Sequence, residues 1–320
     1  MDASQEGPGV QFKARDVSIT VGILGIGAMG EPMAASLLRA GFRVATCAHH
    51  RREPLDRLIA AGAHDGVDPA GVAALSDIVI TMVPDAPQVE EALFGPQGAT
   101  TAAKPNTLFI DMSTISPVAT RAFDERLRAM GHRFIDAPVS GGPARAKTGT
   151  LTLMVGASDA DLASARTVLE AMGTPNHVGP VGLGETVKLV NQIMIANIML
   201  ANCEGLVFAA KAGANVEVVR DVILTATGAN YLLDKWLPNT WLSGGFSGGF
   251  ALDLLRKDIA AALDAARAMK VPMPSTSLAF QLFTATSGEG HGRDDYSSVA
   301  TFYERAADLP PTKIVNNAKQ

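Results

Sequence analysis

Between residues 18 and 178 the chain alternates short apolar runs with segments of helical periodicity. Residues 19–24, ITVGIL, are continuously apolar; a glycine-rich turn follows, then a helical stretch at 32–40 that Gly41 stops. Runs at 43–47, 78–83, 108–111 and 134–136 share this apolar, β-branched character, and 151–155 reads as one more strand closing an edge. Strands buried on both faces lose the alternation of polar and apolar positions. The pattern therefore predicts a parallel sheet with helices on each side.

After Gly179 the pattern changes. Residues 185–212 run for about 28 positions with Gly205 as the one interruption, enough for a single helix of roughly 42 Å at 1.5 Å per residue. Helical periodicity then continues, with breaks near Thr227 and Gly228, at 243–249 and at 270–274, and no strand pattern returns. The expected fold is α/β: an N-terminal Rossmann-type parallel-sheet domain, then an all-α domain, joined by a long interdomain helix. The expected boundaries are a flexible leader at 1–16, a dinucleotide-binding domain at 17–179, a helical substrate and oligomerisation domain at 180–309, and a flexible tail at 310–320.

Composition narrows the function classes. The 320 residues are 47% hydrophobic, which suits two domains with large cores. A net charge of −5 without a long Lys/Arg block argues against nucleic acid and anionic membranes as partners. Residues 193–210 are apolar over the length of a membrane span, but Asn197, Asn202 and Glu204 would each be costly in hydrocarbon, so a buried helix is expected. Residues 1–16 lack the apolar core of a signal peptide. Cys47 and Cys203 lie far apart in apolar stretches and read as buried thiols in a reducing, cytoplasmic compartment.

Three constellations carry chemistry. Gly25-Ile26-Gly27-Ala28-Met29-Gly30 leaves a strand and opens a helix. In that setting the first glycine permits the turn, the second lets backbone approach a pyrophosphate, and the third allows close packing of helix on sheet. A structural glycine turn is the plainer reading. About 20 residues on, a carboxylate would hold the adenosine ribose. Here the segment is Ala48-His49-His50-Arg51-Arg52, whose cations favour a 2′-phosphate and hence NADP over NAD, or else form a solvated basic loop.

The second constellation, Asp136-Ala137-Pro138-Val139-Ser140-Gly141-Gly142, also leaves a strand. Ser140 can donate to a substrate carboxylate, and successive glycine N–H groups can cradle an anion. A plain turn with an incidental serine is the alternative. The third is Lys188 with Asn191, three residues apart near the start of the long helix and so on one face. A carbonyl that accepts hydride needs a proton donor at its oxygen, and the reverse reaction needs a base. A lysine desolvated toward neutrality can serve as both. A solvated surface lysine is equally compatible with sequence alone, and the same holds for Lys257 as a surface ion-pair partner. No metal is called for.

Together these motifs resemble the β-hydroxyacid dehydrogenase family, which includes 3-hydroxyisobutyrate dehydrogenase and tartronate semialdehyde reductase. The resemblance runs from about residue 21 to 300 and adds Met82-Val83-Pro84, Ser113-Thr114 and Lys257-Asp258 in order. It implies a homodimer or homotetramer that interconverts a small 3-hydroxy acid, such as D-glycerate or 3-hydroxyisobutyrate, and its semialdehyde or ketone. It implies Lys188 as acid/base, with substrate held by Ser140, Gly141, Gly142 and Asn191. It further implies cofactor contacts from Val83, Pro84, Gln88, Thr114 and Lys257.

Ala48-His49-His50 departs from the Asn-Arg-Thr of many relatives, so an NADP preference would rest on His49, Arg51 or Arg52. Asp85 is an acidic residue without a sequence-level account. Specificity would come from side chains distant in the chain, with Trp241 and Phe246 of a neighbouring subunit as candidates. An imine reductase of the same superfamily and a non-catalytic cofactor-binding module are the competing readings; Lys188 argues against both. A 6-phosphogluconate dehydrogenase is related in design, but the chain is short for it.

Overall fold

The computed structural model describes residues 19–310, so the expected leader at 1–16 and nearly all of the expected tail at 310–320 lie outside the described residues. The chain divides into two compact units. One runs to Ser113 and resumes over Ala119–Gly184; the other comprises Thr114–Val118 and everything from Glu185 onward.

In the first unit the elements are β1 (Thr20–Leu24), α1 (Gly30–Arg39), β2 (Arg43–Thr46), α2 (Glu53–Ala60), β3 (His64–Asp65), α3 (Pro69–Leu75), β4 (Ile78–Thr81) and α4 (Ala86–Phe94). There follow β5 (Leu108–Asp111), α5 (Pro117–Ala129), β6 (Arg133–Asp136), β7 (Val139–Ser140), α6 (Gly142–Thr148), β8 (Leu151–Gly156), α7 (Asp159–Glu170) and β9 (Gly173–Gly179). The strand order is β3-β2-β1-β4-β5-β6-β8-β7, with β9 on β8. From β3 to β6 every pairing is parallel. The order reverses between β1 and β4, the switch point at which open α/β sheets bind ligands.

The core explains the apolar runs. Val21, Ile23, Ile80, Leu108, Ile110 and Ile135 are buried in one cluster with Met33 and Leu37 of α1. Two details differ from the reading of the sequence. The strand at 151–156 is interior: it pairs antiparallel with β6 and β7 and parallel with β9, which forms the edge instead. That edge strand, GTPNHVG, is mostly polar and has no buried residue along its length, so it carries no apolar signal. The two-residue β3 is too short to show one.

The second unit is built on α8 (Leu183–Lys211), with α9 (Val216–Leu224), α10 (Leu252–Met269), α11 (Pro274–Thr286) and α12 (Ala300–Ala306). Lys270, at φ +59°, ends α10 in the left-handed region, which accounts for the break read at 270–274. Met199, Cys203, Leu206, Leu255, Ile259, Phe283 and Tyr296 form its core.

The three polar residues that interrupt the apolar helix all have polar partners. Asn197 Nδ2 donates to the Ile193 carbonyl at 2.8 Å, Asn202 and Asn230 exchange amide hydrogen bonds at 3.1 and 3.0 Å, and Glu204 Oε1 accepts from the Tyr303 hydroxyl at 3.0 Å. Trp241 is 2% exposed and its indole donates to Glu304 Oε1 at 2.9 Å. It is therefore committed to its own core and is corrected as a candidate for a neighbouring subunit's pocket. Phe246 packs partly buried against the same core. Both cysteines are buried and free, and burial pushes the Cys47 thiol up to about 11.

Candidate active site

The glycine turn lies between β1 and α1, at the switch point. Gly25 takes φ +96°, and a Cβ there would lie 2.3 Å from the Met82 carbonyl oxygen. A Cβ on Gly30 would lie 1.8 Å from the Gly25 carbonyl oxygen, so both glycines are dictated by packing. Gly27 is different. A Cβ there would meet nothing within 4 Å. Its bareness is not required by any protein atom and suits backbone approach to a ligand.

Met29, the first residue before α1, makes no side-chain cap; the Glu31 N–H donates to the Gly27 carbonyl at 3.1 Å and Pro32 has no N–H, so the Gly30 N–H and those of the turn before it are the groups on offer. Such groups favour an anion. Ile26 is buried while Gly27 and Ala28 are exposed beside them. The turn thus fits a dinucleotide pyrophosphate.

The ends of β4 and β5 are tied together beside it. Asp111 Oδ1 accepts the Thr81 hydroxyl at 2.7 Å and the Ser113 N–H at 3.1 Å, and Ser113 Oγ accepts the Val83 N–H at 3.0 Å. Val83, Pro84 and Gln88 follow on from β4, and Asp85 now has a role. Its Oδ1 accepts the Ala86 N–H at 2.8 Å at the start of α4, and its carbonyl takes the Gln88 N–H at 3.1 Å. It is a helix cap.

At the end of β2, His49 and His50 are exposed with ring centroids 3.7 Å apart. Arg52 pairs with Asp65 at 3.1 Å and Asp56 at 3.2 Å, whereas exposed Arg51 has no ion-pair partner among the described residues.

Ser140 ends β7 opposite Thr152 of β8. Among the described residues its hydroxyl has no hydrogen-bond partner. Gly141 has φ +134° and Gly142 φ +66°, both in the region that favours glycine, and a Cβ on Gly141 would lie 2.8 Å from the Arg145 side chain. Nearby, Asp136 Oδ1 accepts the Gly182 N–H at 2.8 Å, anchoring the turn that leads into α8.

The second unit holds the lysines. Glu185, Lys188 and Gln192 recur at helical spacing along α8, and all three are buried. Burial pushes the Lys188 ammonium below the ordinary lysine value; Asp258 and Glu185 pull it back up, and Lys257 pushes it down again. Glu185 Oε2 accepts the Ile115 N–H at 3.2 Å. Asn191 Nδ2 donates to Gln192 Oε1 at 2.8 Å, and Gln192 Nε2 donates to Asp258 Oδ2 at 2.7 Å. Lys257 Nζ lies 2.9 Å from Asp258 Oδ1 and donates to the Thr114 carbonyl.

The structure therefore groups Lys188, Asn191, Thr114 and Lys257 in one unit. It places the glycine turn, Val83, Pro84, Gln88, His49, Arg51, Ser140, Gly141 and Gly142 in the other. Sequence reasoning missed Gln192, Asp258 and Glu185 as members of the lysine cluster. The spacing of Gln192 four residues after Lys188 was the available signal. Among the described residues no group of three or more His, Cys, Asp or Glu could hold a metal ion.

A sheet of this order with a bare glycine turn and a buried lysine in a helical unit defines a nicotinamide-dependent oxidoreductase. Comparison with known proteins carries this to the family. Residues 20–188 match the family described as the NAD binding domain of 6-phosphogluconate dehydrogenase, and residues 182–303 match the NAD-binding region of NADP-dependent 3-hydroxyisobutyrate dehydrogenase.

The chain is 39% identical to a 2-(hydroxymethyl)glutarate dehydrogenase of Eubacterium barkeri, over 90% of this chain and 96% of the relative. It is 35% identical to the 2-hydroxy-3-oxopropionate reductase of Escherichia coli K12, over 90% of this chain and 98% of the relative. The solved Mycobacterium tuberculosis 3-hydroxyisobutyrate dehydrogenase with L-serine superposes with a TM-score of 0.82 at 32% identity, covering 89% of this chain and 98% of that one. The chain belongs to the β-hydroxyacid dehydrogenase family.

Proposed function

We propose that this protein interconverts a small 3-hydroxy acid and its semialdehyde or ketone, with Lys188 as the proton-transfer group. The observation that carries this reading is the buried Lys188 ammonium, pushed below its ordinary value within a cluster of two carboxylates and a second lysine. A lysine whose ammonium is disfavoured by burial gives up and takes back a proton more readily than an ordinary one.

A bound nicotinamide cofactor would supply hydride-transfer chemistry at the carbinol carbon. For oxidation, neutral Lys188 takes the hydroxyl proton at Nζ; for reduction, the ammonium returns it to the carbonyl oxygen. In the first unit the Ser140 hydroxyl and the N–H groups at Gly141 and Gly142 can hold a carboxylate; in the second, Asn191 can orient an oxygen that reacts at Lys188. In the first unit the glycine turn at 25–30, Val83, Pro84 and Gln88 would hold the cofactor; in the second, Thr114 and Lys257 are the candidates that the family resemblance adds. The names of the relatives support the substrate class: they act on hydroxymethyl and hydroxy-oxo acids.

NADP is the proposed physiological cofactor. Arg51, exposed and without an ion-pair partner among the described residues, supplies a cation where a 2′-phosphate would lie, with His49 beside it as a further hydrogen-bonding group, while Arg52 is already engaged. A homo-oligomer is supported by apolar side chains left on the surface: Met194 and Phe208 of α8 are 56% and 77% exposed, and Val218 and Val222 of α9 are each 59% exposed. The buried free thiols support a reducing, cytoplasmic setting.

A panel of 3-hydroxy acids, D-glycerate and 3-hydroxyisobutyrate among them, assayed with NADP and NAD tests the reading in one experiment. At least one acid should turn over, faster with NADP, and Arg51→Ala should lower the NADP-to-NAD ratio. Binding of both dinucleotides without turnover of any acid or aldehyde would point to a non-catalytic module.

A further inference from the structure

Gln192 is 1% exposed, and both ends of its side-chain amide are used. The chemistry of its partners dictates which end faces which. Buried Asp258, ion-paired to Lys257, is a carboxylate and can only accept, so the Gln192 amide must turn its NH2 toward it. The Gln192 oxygen then faces Asn191, and Asn191 must answer with its own NH2. Both amide orientations therefore follow from the chemistry of Asp258 alone. They leave Asn191 Oδ1 as the group turned away from the relay.

We propose that Gln192 is a positioning residue that transmits the polarity of Asp258 to Asn191, so that Asn191 presents its oxygen as an acceptor for the proton-bearing groups of the reaction. Those groups are the Lys188 ammonium and the substrate hydroxyl, so the proposal rests on the reading of Lys188 given above. The relay begins at an ion pair and runs in one sense: the Lys257 ammonium faces Asp258, Asp258 accepts from Gln192, and Gln192 accepts from Asn191. The Lys257 ammonium also donates to the Thr114 carbonyl, which joins the relay to a proposed cofactor residue. Gln192 itself touches Asp258 on α10, and the charges that act on Lys188, one helical turn before it, are Asp258, Glu185 and Lys257.

Two substitutions separate relayed polarity from simple packing. Gln192→Met keeps the shape and removes both hydrogen bonds. Gln192→Glu, when protonated, restores them in the original sense, its O–H donating to Asp258 and its carbonyl accepting from Asn191. Ionised, it sets two carboxylates face to face, which burial and Asp258 both disfavour.

The kcat of each variant is measured against wild type from pH 5.5 to 9, with dinucleotide binding followed by nicotinamide fluorescence. Q192M should lose about 10- to 100-fold in kcat at every pH, the effect of orphaning one buried polar group, while still binding cofactor. Q192E relative to wild type should exceed Q192M at least fivefold at the acid end and decline as pH rises if the introduced carboxyl ionises within the range. Q192M within twofold of wild type, or Q192E no better than Q192M at any pH, would overturn the proposal. Lys188→Met assayed alongside separates the two ideas. An inactive K188M with an unaffected Q192M defeats the relay alone; an active K188M defeats the reading beneath it.

Discussion

Lys257 Nζ lies 2.9 Å from Asp258 Oδ1, and both groups act on the charge of Lys188 in opposite senses. Asp258 favours the Lys188 ammonium and Lys257 disfavours it. Lys257→Met removes the like charge and leaves burial alone to oppose the attraction of Asp258 and Glu185, so the Lys188 pKa should rise. The ascending limb of kcat/KM for hydroxy-acid oxidation should then move to higher pH. Asp258→Asn should move it to lower pH. Measuring the oxidation profile of both variants checks the two signs at once, and equal shifts in one direction would contradict the assignment.

The glycines of the turn should separate binding from folding. Gly30→Ala must displace the Gly25 backbone, whose carbonyl oxygen would lie 1.8 Å from the new methyl, and should lower Tm clearly. Gly27→Ala puts its methyl into open space and should leave Tm within about 2–4 °C of wild type, as expected for a change of about 1 kcal/mol or less in a chain of this size. It should nevertheless weaken dinucleotide binding about tenfold or more, because a methyl intrudes where backbone must approach phosphate. Thermal melts and fluorescence titrations of both variants give the comparison.

His132 offers a pH test remote from the lysine cluster. It is buried edge-on against Phe109 at 5.3 Å between ring centroids, and burial holds its pKa below the ordinary imidazole value. The unfolded chain therefore takes up a proton before the folded chain does. The stability this residue supports is fully present above about pH 6.5 and is lost as pH falls from there through the folded value. His132→Phe should show a smaller drop in Tm between pH 7.5 and 5 than wild type does.

Much of the architecture was legible because burial on both faces writes itself as unbroken apolar runs. The strands carrying Val21, Val79, Phe109 and Phe134 were all readable this way, as was the long helix now seen at Leu183–Lys211. The strand at Gly173–Gly179 was not, since a mostly polar edge without a buried residue carries no hydrophobic pattern. The same logic divides the candidate site. Glycines announce themselves through backbone demands, but Gln192 and Asp258 matter through contacts 66 residues apart in sequence. No spacing rule reaches across that separation. Trp241, a candidate for a neighbouring subunit's pocket, instead has its indole held inside its own core by Glu304, a contact 63 residues away in sequence.

The central claim is that Lys188 moves the proton. The direct measurement is kcat/KM against pH in both directions, for wild type and for Lys188→Met, with dinucleotide binding as the control for folding. In wild type, oxidation should rise and reduction should fall with pH through a single transition below the ordinary lysine value, because the ammonium is buried. K188M should bind dinucleotide, lack that transition and lose about 10²- to 10⁴-fold in turnover. A K188M enzyme that keeps both its turnover and the wild-type profile would contradict the account.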